Sequence, residues 1–327
     1  MMKRALWRKV SVAPMMDWTD RHCRYFMRLL SPRARLYTEM VTASAVVRGD
    51  APHLLTFHPS EHPLALQLGG SEPAPMVEAA RIADRFGYDE ININVGCPSD
   101  RVQSGQFGAC LMSQPVKVGA CVRAMQGETD VPITVKCRIG IDDFDSYEFL
   151  RDFVEGVSAA GCDTFIVHAR KAILEGLSPK ENRSIPELNY ERVYRLKNDH
   201  PSLTIVLNGG IRSADDAALH LRSVDGVMIG REAYQNPWFL VELERMLGGP
   251  AGQPAGRHQV VEQMVPYIEN ELSAGTRLKH ITRHMLGLYS GQPGARAWRR
   301  YLSENAHRPG AGVEVIEQAL ARQPMAA

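Results

Sequence analysis

The chain has 327 residues, with 38 Lys and Arg set against 37 Asp and Glu, for a formal net charge of +1. That length suits a barrel with an appendage rather than one small domain. The balanced charge excludes a global field that attracts polyanions, so a nucleic-acid partner must be gripped by local patches. Six cysteines (23, 97, 110, 121, 137 and 162) lie scattered without a Cys-x-x-Cys pair. This argues against a zinc or other metal site and against a disulfide framework. Reduced thiols imply the cytoplasm. Only a short, broken apolar stretch precedes Asp17, so no signal peptide is expected. No apolar run approaches the roughly eighteen residues of a membrane span, so no membrane partner is expected.

In chain order, eight β-branched or apolar runs read as strands: 11–15, 35–41, 64–69, 90–95, 133–138, 164–169, 204–208 and 226–230. Helix-like segments at 73–87, 115–126, 146–160 and 214–222 fill gaps between them. Ser71 and Ser213 stand as caps, and Gly87 and Gly161 as closing glycines. This alternation predicts an α/β fold, a (β/α)8 TIM barrel over residues 1–247. A doubly wound open sheet is disfavoured, because no Gly-x-Gly-x-x-Gly follows the first strand. The Gly/Pro-rich run that opens 248–257 reads as a linker, leaving 258–327 as a small all-helical domain. There, helices are expected at 258–273 and 278–288, with Val260, Met264, Val265, Ile268 and Leu272 on one stripe.

A barrel gathers its chemistry where the strands end. Those ends carry Pro14-Met15-Met16, Gln67, Asn94, Cys97, Lys136, Arg138, His168, Arg170, Asn208-Gly209-Gly210 and Gly230-Arg231. The run Asp89–Pro98 is the most telling. Ile91, Ile93 and Val95 alternate with Asn92, Asn94 and Gly96, and Pro98 stops the ladder just past Cys97. A free cysteine is most often a packing residue. Here Asn94 offers hydrogen bonds to a planar ligand and Gly96 allows close approach, which favours a catalytic thiol. Gln67 has the alternative of a satisfied buried amide, Lys136 of an ion-paired core lysine, and His168 of a structural histidine.

Glycines in the seventh and eighth loops expose backbone N–H groups, and Arg231 adds a charge-assisted bond, so the pair reads as a phosphate cradle. Two tight turns would also want glycine. A phosphate anchored there would extend its carrier across the barrel mouth, under positive or donating groups from Lys136 and His168. That suits a flavin, and a single cradle favours FMN over FAD.

These residues resemble the tRNA-dihydrouridine synthases. The likeness rests on Ala13-Pro14-Met15, Gln67, Asn94-Val95-Gly96-Cys97-Pro98, Lys136, His168-Ala169-Arg170, Asn208-Gly209-Gly210 and Gly230-Arg231, and spans about residues 10 to 320. The runs His168–Ala172 and Gly176–Arg183 are similar to the A subfamily, which acts on uridines 20 and 20a of the tRNA D-loop. The resemblance implies bound FMN, NADPH as reductant and Cys97 as proton donor. FMN would contact Pro14, Met15, Met16, Gln67, Lys136, His168, Asn208, Gly209, Gly210, Gly230 and Arg231. The tRNA would contact Asn94, Lys180, Arg183, Arg296 and Arg299.

The segment from Arg277 to Leu302 holds six Lys and Arg residues and no acid, with histidines and Trp298 among them. It reads either as a solvated helix face or as a surface that tracks RNA phosphates. The nearest rival is an FMN-dependent dihydroorotate or dihydropyrimidine dehydrogenase acting on a free pyrimidine, which needs no basic appendage. A non-catalytic RNA-binding barrel would need no Cys97. A monomer is expected, with no DNA partner.

Overall fold

A computed structural model describes residues 9–249, 254 and 256–324. Half of the expected linker (250–253 and 255) lies outside the described residues. Eight strands form one parallel sheet: β1 (Val10–Val12), β2 (Leu36–Thr42), β3 (Leu64–Gly69), β4 (Glu90–Val95), β5 (Ile133–Arg138), β6 (Thr164–His168), β7 (Thr204–Asn208) and β8 (Gly226–Ile229). From β2 to β8 each pairs with the next, and β8 pairs with β1. A bridge between Ser11 and Arg35 closes the ring, with the Val12 N–H donating to the Arg35 carbonyl at 2.9 Å. The fold is the expected (β/α)8 barrel.

The alternation in β4 has a plain physical outcome. Ile91, Ile93 and Val95 join the main apolar core, while Glu90, Asn92 and Asn94 engage Thr134 and Gln67 of neighbouring strands. A second, smaller core gathers Tyr37, Ala65, Ile166, Val206 and Met228. β1 is shorter than expected. Ala13 still donates to the Ile229 carbonyl at 2.8 Å, but Pro14 has no N–H to continue.

Helix Pro73–Phe86 buries Met76, Ala79, Ala80 and Ala83, and ends at Gly87 with φ 83°, a left-handed conformation that glycine adopts freely. Ser71 is not its cap. Glu72 occupies the cap position without a side-chain bond, because Pro73 and Pro75 remove two of the N–H groups a cap would serve. Ser213 does cap Ala214–His220, in a capping box with Asp216.

Beyond the barrel lie helices Arg257–Ser273, Leu278–Thr282, Ala295–Asn305 and Glu314–Leu320. The expected helix at 278–288 stops at Thr282, and turns follow. The carbonyls of Met285 and Leu288 instead accept the Trp298 indole N–H at 3.0 Å and the Arg257 guanidinium at 2.9 Å. These helices dock on helix Arg21–Leu30 of the barrel. Arg21 pairs with Glu271 at 2.5 Å, Arg283 with Asp20 at 2.5 Å, and Tyr25 stacks on Tyr267. No helix among the described residues is long and apolar enough to cross a membrane.

Candidate active site

The carboxyl ends of the strands surround a cavity of about 1030 Å³. Pro14, Met15 and Met16 line it after β1, Gln67 from β3, and Asn94 and Cys97 at the end of β4. Lys136 and Arg138 enter from β5, and His168 and Arg170 from β6. Asn208, Gly209 and Gly210 border it after β7, and Gly230 and Arg231 after β8. Arg183 reaches it from the loop beyond β6. Lys180, exposed on that same loop, does not line it. Arg296 and Arg299 lie elsewhere, exposed on helix Ala295–Asn305 beside a shallow hollow of about 630 Å³.

Cys97 is held by its own loop. The Asn94 side-chain oxygen accepts the Gly96 N–H at 3.1 Å and the Cys97 N–H at 2.9 Å, a turn that Asn forms readily. The Cys97 carbonyl accepts from Ala109 at 2.9 Å. A Cβ on Gly108, whose φ is 78°, would stand 2.5 Å from that carbonyl, so glycine is required there. Arg138 donates to the Gly96 carbonyl at 2.8 Å, and to the carbonyls of Lys171 and Asn182. It thereby clamps the Cys97 turn to the loop after β6. Four other cysteines are buried, and burial pushes their thiols up, Cys137 and Cys162 to about 12. Cys97 is half-buried and faces the cavity, so packing does not account for it.

Lys136 donates to the Asn208 side-chain oxygen at 3.1 Å. Burial, reinforced by the Arg138 charge, pushes its ammonium down to about 8. Burial and the same cationic neighbours hold His168 well below the usual imidazole range. Of the two groups expected to be positive or donating, His168 therefore offers a neutral ring and Lys136 the charge. Gln67 is 1% exposed, and its amide bonds both Asn92 and Asn94 at 2.8 Å.

The cradle has the geometry that an anion needs. Gly209 and Gly210 have φ of 116° and 76°, and a Cβ on either would collide, with His168 at 2.8 Å or with the Tyr190 hydroxyl at 2.3 Å. A Cβ on Gly230 would meet nothing within 4 Å, which leaves open ground beside Arg231. Six cations line the cavity (Lys136, Arg138, Arg170, Arg183, Arg212 and Arg231) against two carboxylates, Asp17 and Glu232. The Arg170 Nε is buried with no acceptor among the described residues. These donors fit the phosphate of FMN. Arg138 and Arg170 appeared among the strand ends without a role, and Arg212 was not singled out. Its place directly after Asn208-Gly209-Gly210-Ile211 was a usable signal.

Trp298, which lies within the basic run, is fully buried and donates its N–H to the Met285 carbonyl, so it is a core residue.

The fold is a parallel barrel whose mouth brings a glycine- and arginine-rich cradle together with a thiol. The chain belongs to the dihydrouridine synthase family, whose sequence pattern matches residues 11–324. It is 59% identical to the tRNA-dihydrouridine(20/20a) synthase of Vibrio cholerae over 97% of each chain. It is 60% identical to that of Shewanella oneidensis, over 95% of this chain and 93% of the relative. With that of Escherichia coli K12 it shares 60% identity, over 95% of this chain and 90% of the relative. Among solved structures, a complex of 2-naphthoyl-CoA reductase is similar with a TM-score of 0.52 and 11% identity. That likeness covers 74% of this chain and half the length of the reductase (50%), and it speaks for the fold alone.

Proposed function

We propose that this enzyme reduces the 5,6 double bond of uridines 20 and 20a in the D-loop of tRNA, with FMN bound in the barrel mouth and NADPH as reductant. The observation that carries this reading is Cys97, half-buried at the mouth and fastened by Asn94 opposite a cradle rich in glycine and arginine. When bound, FMN supplies the hydride equivalent drawn from NADPH. Gly209, Gly210, Arg170, Arg212 and Arg231 would hold its phosphate, and Lys136 would supply a positive charge to its ring. Pro14, Met15, Met16, Gln67, His168, Asn208 and Gly230 shape the remaining contacts.

Cys97 gives the proton from its sulfur to carbon 5 of the uracil. An ordinary thiol, with a pKa of about 8.5, is mostly protonated at neutral pH and suits that task. Asn94 keeps Cys97 at the mouth and has one N–H left for the base. Lys180, Arg183, Arg296 and Arg299, the last two within the helical segment 258–327, grip the tRNA backbone. The cavity is complete within one chain, which supports action as a monomer, and free thiols with a tRNA substrate favour the cytoplasm.

The test is spectroscopic and then chemical. Purified protein should show flavin bands near about 370 and 450 nm. Supplied in a strain that lacks dihydrouridine at positions 20 and 20a, it should restore both. A colourless protein that ignores added FMN, or turnover of free pyrimidines but not tRNA, would sink the reading.

A further inference from the structure

Beneath Cys97 a chain of side chains runs along the barrel interior, and all its hydrogen bonds point one way. The N–H groups of Gly96 and Cys97 donate to the Asn94 oxygen. Asn94 donates to the Gln67 oxygen, Gln67 to the Asn92 oxygen and Asn92 to the Thr134 hydroxyl, each at 2.8 Å. Thr134 donates in turn to the Glu90 carboxylate at 2.8 Å. Arg35 and Tyr37 also donate to Glu90. Burial opposes the Arg35 charge, and Glu90 together with Tyr37 and Asp89 more than offsets it. Asn92 is 0% exposed, Gln67 and Thr134 1% each, so water does not compete for these bonds.

The two ends agree on polarity. Backbone N–H groups only donate, so Asn94 must turn its oxygen up to them. A carboxylate only accepts, so Thr134 must donate to it and accept from Asn92. Each amide between them has one allowed orientation, since reversing any one sets donor against donor and acceptor against acceptor. We propose that Glu90, acting through Thr134, Asn92, Gln67 and Asn94, locks the turn that carries Cys97, and that Glu90 and Thr134 are positioning residues for proton transfer. This rests on Cys97 being the proton donor.

Thr134 is the place to cut. It does not line the cavity, and Thr134→Val removes the hydroxyl at nearly constant shape while leaving Glu90 its Arg35 and Tyr37 partners. The cut leaves a buried Asn92 N–H without its acceptor, and the ladder then shifts or reverses to satisfy it. Thr134→Val should slow the reduction of tRNA by pre-reduced enzyme by roughly tenfold, the scale of one lost buried hydrogen bond. Flavin reduction by NADPH and the dissociation constant for tRNA should each change far less than this, although Gln67 and Asn94 belong to the ladder. Thr134→Ser, which keeps the hydroxyl, should restore the rate.

Two readouts separate positioning from mere packing. In flavin-free protein, the iodoacetamide alkylation rate of Cys97, followed on its own peptide by mass spectrometry, should change severalfold in Thr134→Val and not in Thr134→Ser. In a Cys97→Ala background, Thr134→Val should add nothing to the residual rate. The inference is overturned if the full tenfold appears in that background, if alkylation is unmoved, or if both half-reactions fall together. Should Thr134→Val not fold, Thr134→Ala carries the same predictions. If Cys97→Ala leaves tRNA reduction unchanged, the proton-donor reading fails instead, and alkylation still decides whether the ladder holds the turn.

Discussion

The barrel mouth and the C-terminal helices both carry clustered arginines, yet they use them in opposite ways. At the mouth, guanidiniums are fastened to backbone carbonyls: Arg138 to Gly96, Lys171 and Asn182, Arg170 to Pro186, and Arg231 to Arg183. Burial holds Arg138 down at about 10 and lowers Arg170 and Arg183 as well. These charges are set in place before any ligand arrives, which suits one small anion in one pose. On helix Ala295–Asn305, Arg296 and Arg299 stand in solvent, and Arg300 makes only an i,i+4 pair with Glu304 at 2.8 Å. Such charges suit a polyanion gripped by many weak, salt-sensitive contacts. Other members of the basic run are diverted to architecture. Arg283 pairs with Asp20, and Arg277 donates to the His307 carbonyl at 3.4 Å. Density of charge in a sequence is therefore a poor guide to its use; what each cation is bonded to decides.

The largest effect should fall on a single atom of the mouth. Cys97→Ala should slow tRNA reduction by about 10²–10⁴-fold, the usual cost of losing a general acid, and leave flavin reduction by NADPH intact. Stopped-flow measurement of the two half-reactions checks it. Equal losses in both would erase the distinction between a prepared acid and a general scaffold.

Next comes a residue of the basic segment that belongs to the core. Trp298→Ala should destabilise the protein by about 3–5 kcal/mol, as for other buried aromatics. A denaturant titration should find its midpoint shifted. A Trp298 that stacked on RNA would instead lose tRNA affinity at unchanged stability.

Much of this was readable from the sequence, for physical reasons. The bounds of β3, β4, β5 and β7 follow from short apolar runs closed by turn residues, and parallel strands must deliver their ends to one rim. That is why Gln67, Cys97, Lys136, His168 and Gly209 emerged together. The role of Arg138 was hidden, because its carbonyl partners lie 33 and 44 residues away in sequence. The burial of Trp298 was not legible, because a charged run dominates its neighbourhood while the indole points inward. Asn94 was read toward a ligand, and only the folded turn discloses that its oxygen serves Cys97.

A smaller effect belongs to the exposed arginines. Arg296→Ala with Arg299→Ala should weaken tRNA binding and reduce the slope of log affinity against log salt by about 0.7–0.9 for each lost phosphate contact. NADPH oxidation on an artificial acceptor should be unaffected. Titration of tRNA at several salt concentrations checks both. An unchanged slope would make this helix a solvated face and leave the grip to Arg183 and Lys180.

The smallest effect is a proton. In the flavin-free protein Lys136 titrates at about 8, below the roughly 10.4 of a free lysine, so its charged form is disfavoured by folding. Between these values the unfolded chain binds more protons than the folded one, so this group makes stability rise with pH across that window. Below about 8 both states are protonated and its contribution is flat. Lys136→Met should remove the rise, which denaturant midpoints from pH 7 to 10 will register. The negative charge of a reduced ring beside Lys136 favours the ammonium, so binding of reduced FMN above pH 8 should draw a proton from solvent. Calorimetry in buffers of different ionisation enthalpy measures that uptake directly. Uptake that persists in Lys136→Met would assign the proton to another group at the mouth. Uptake that vanishes would make Lys136 the mouth cation whose charge depends on the ligand.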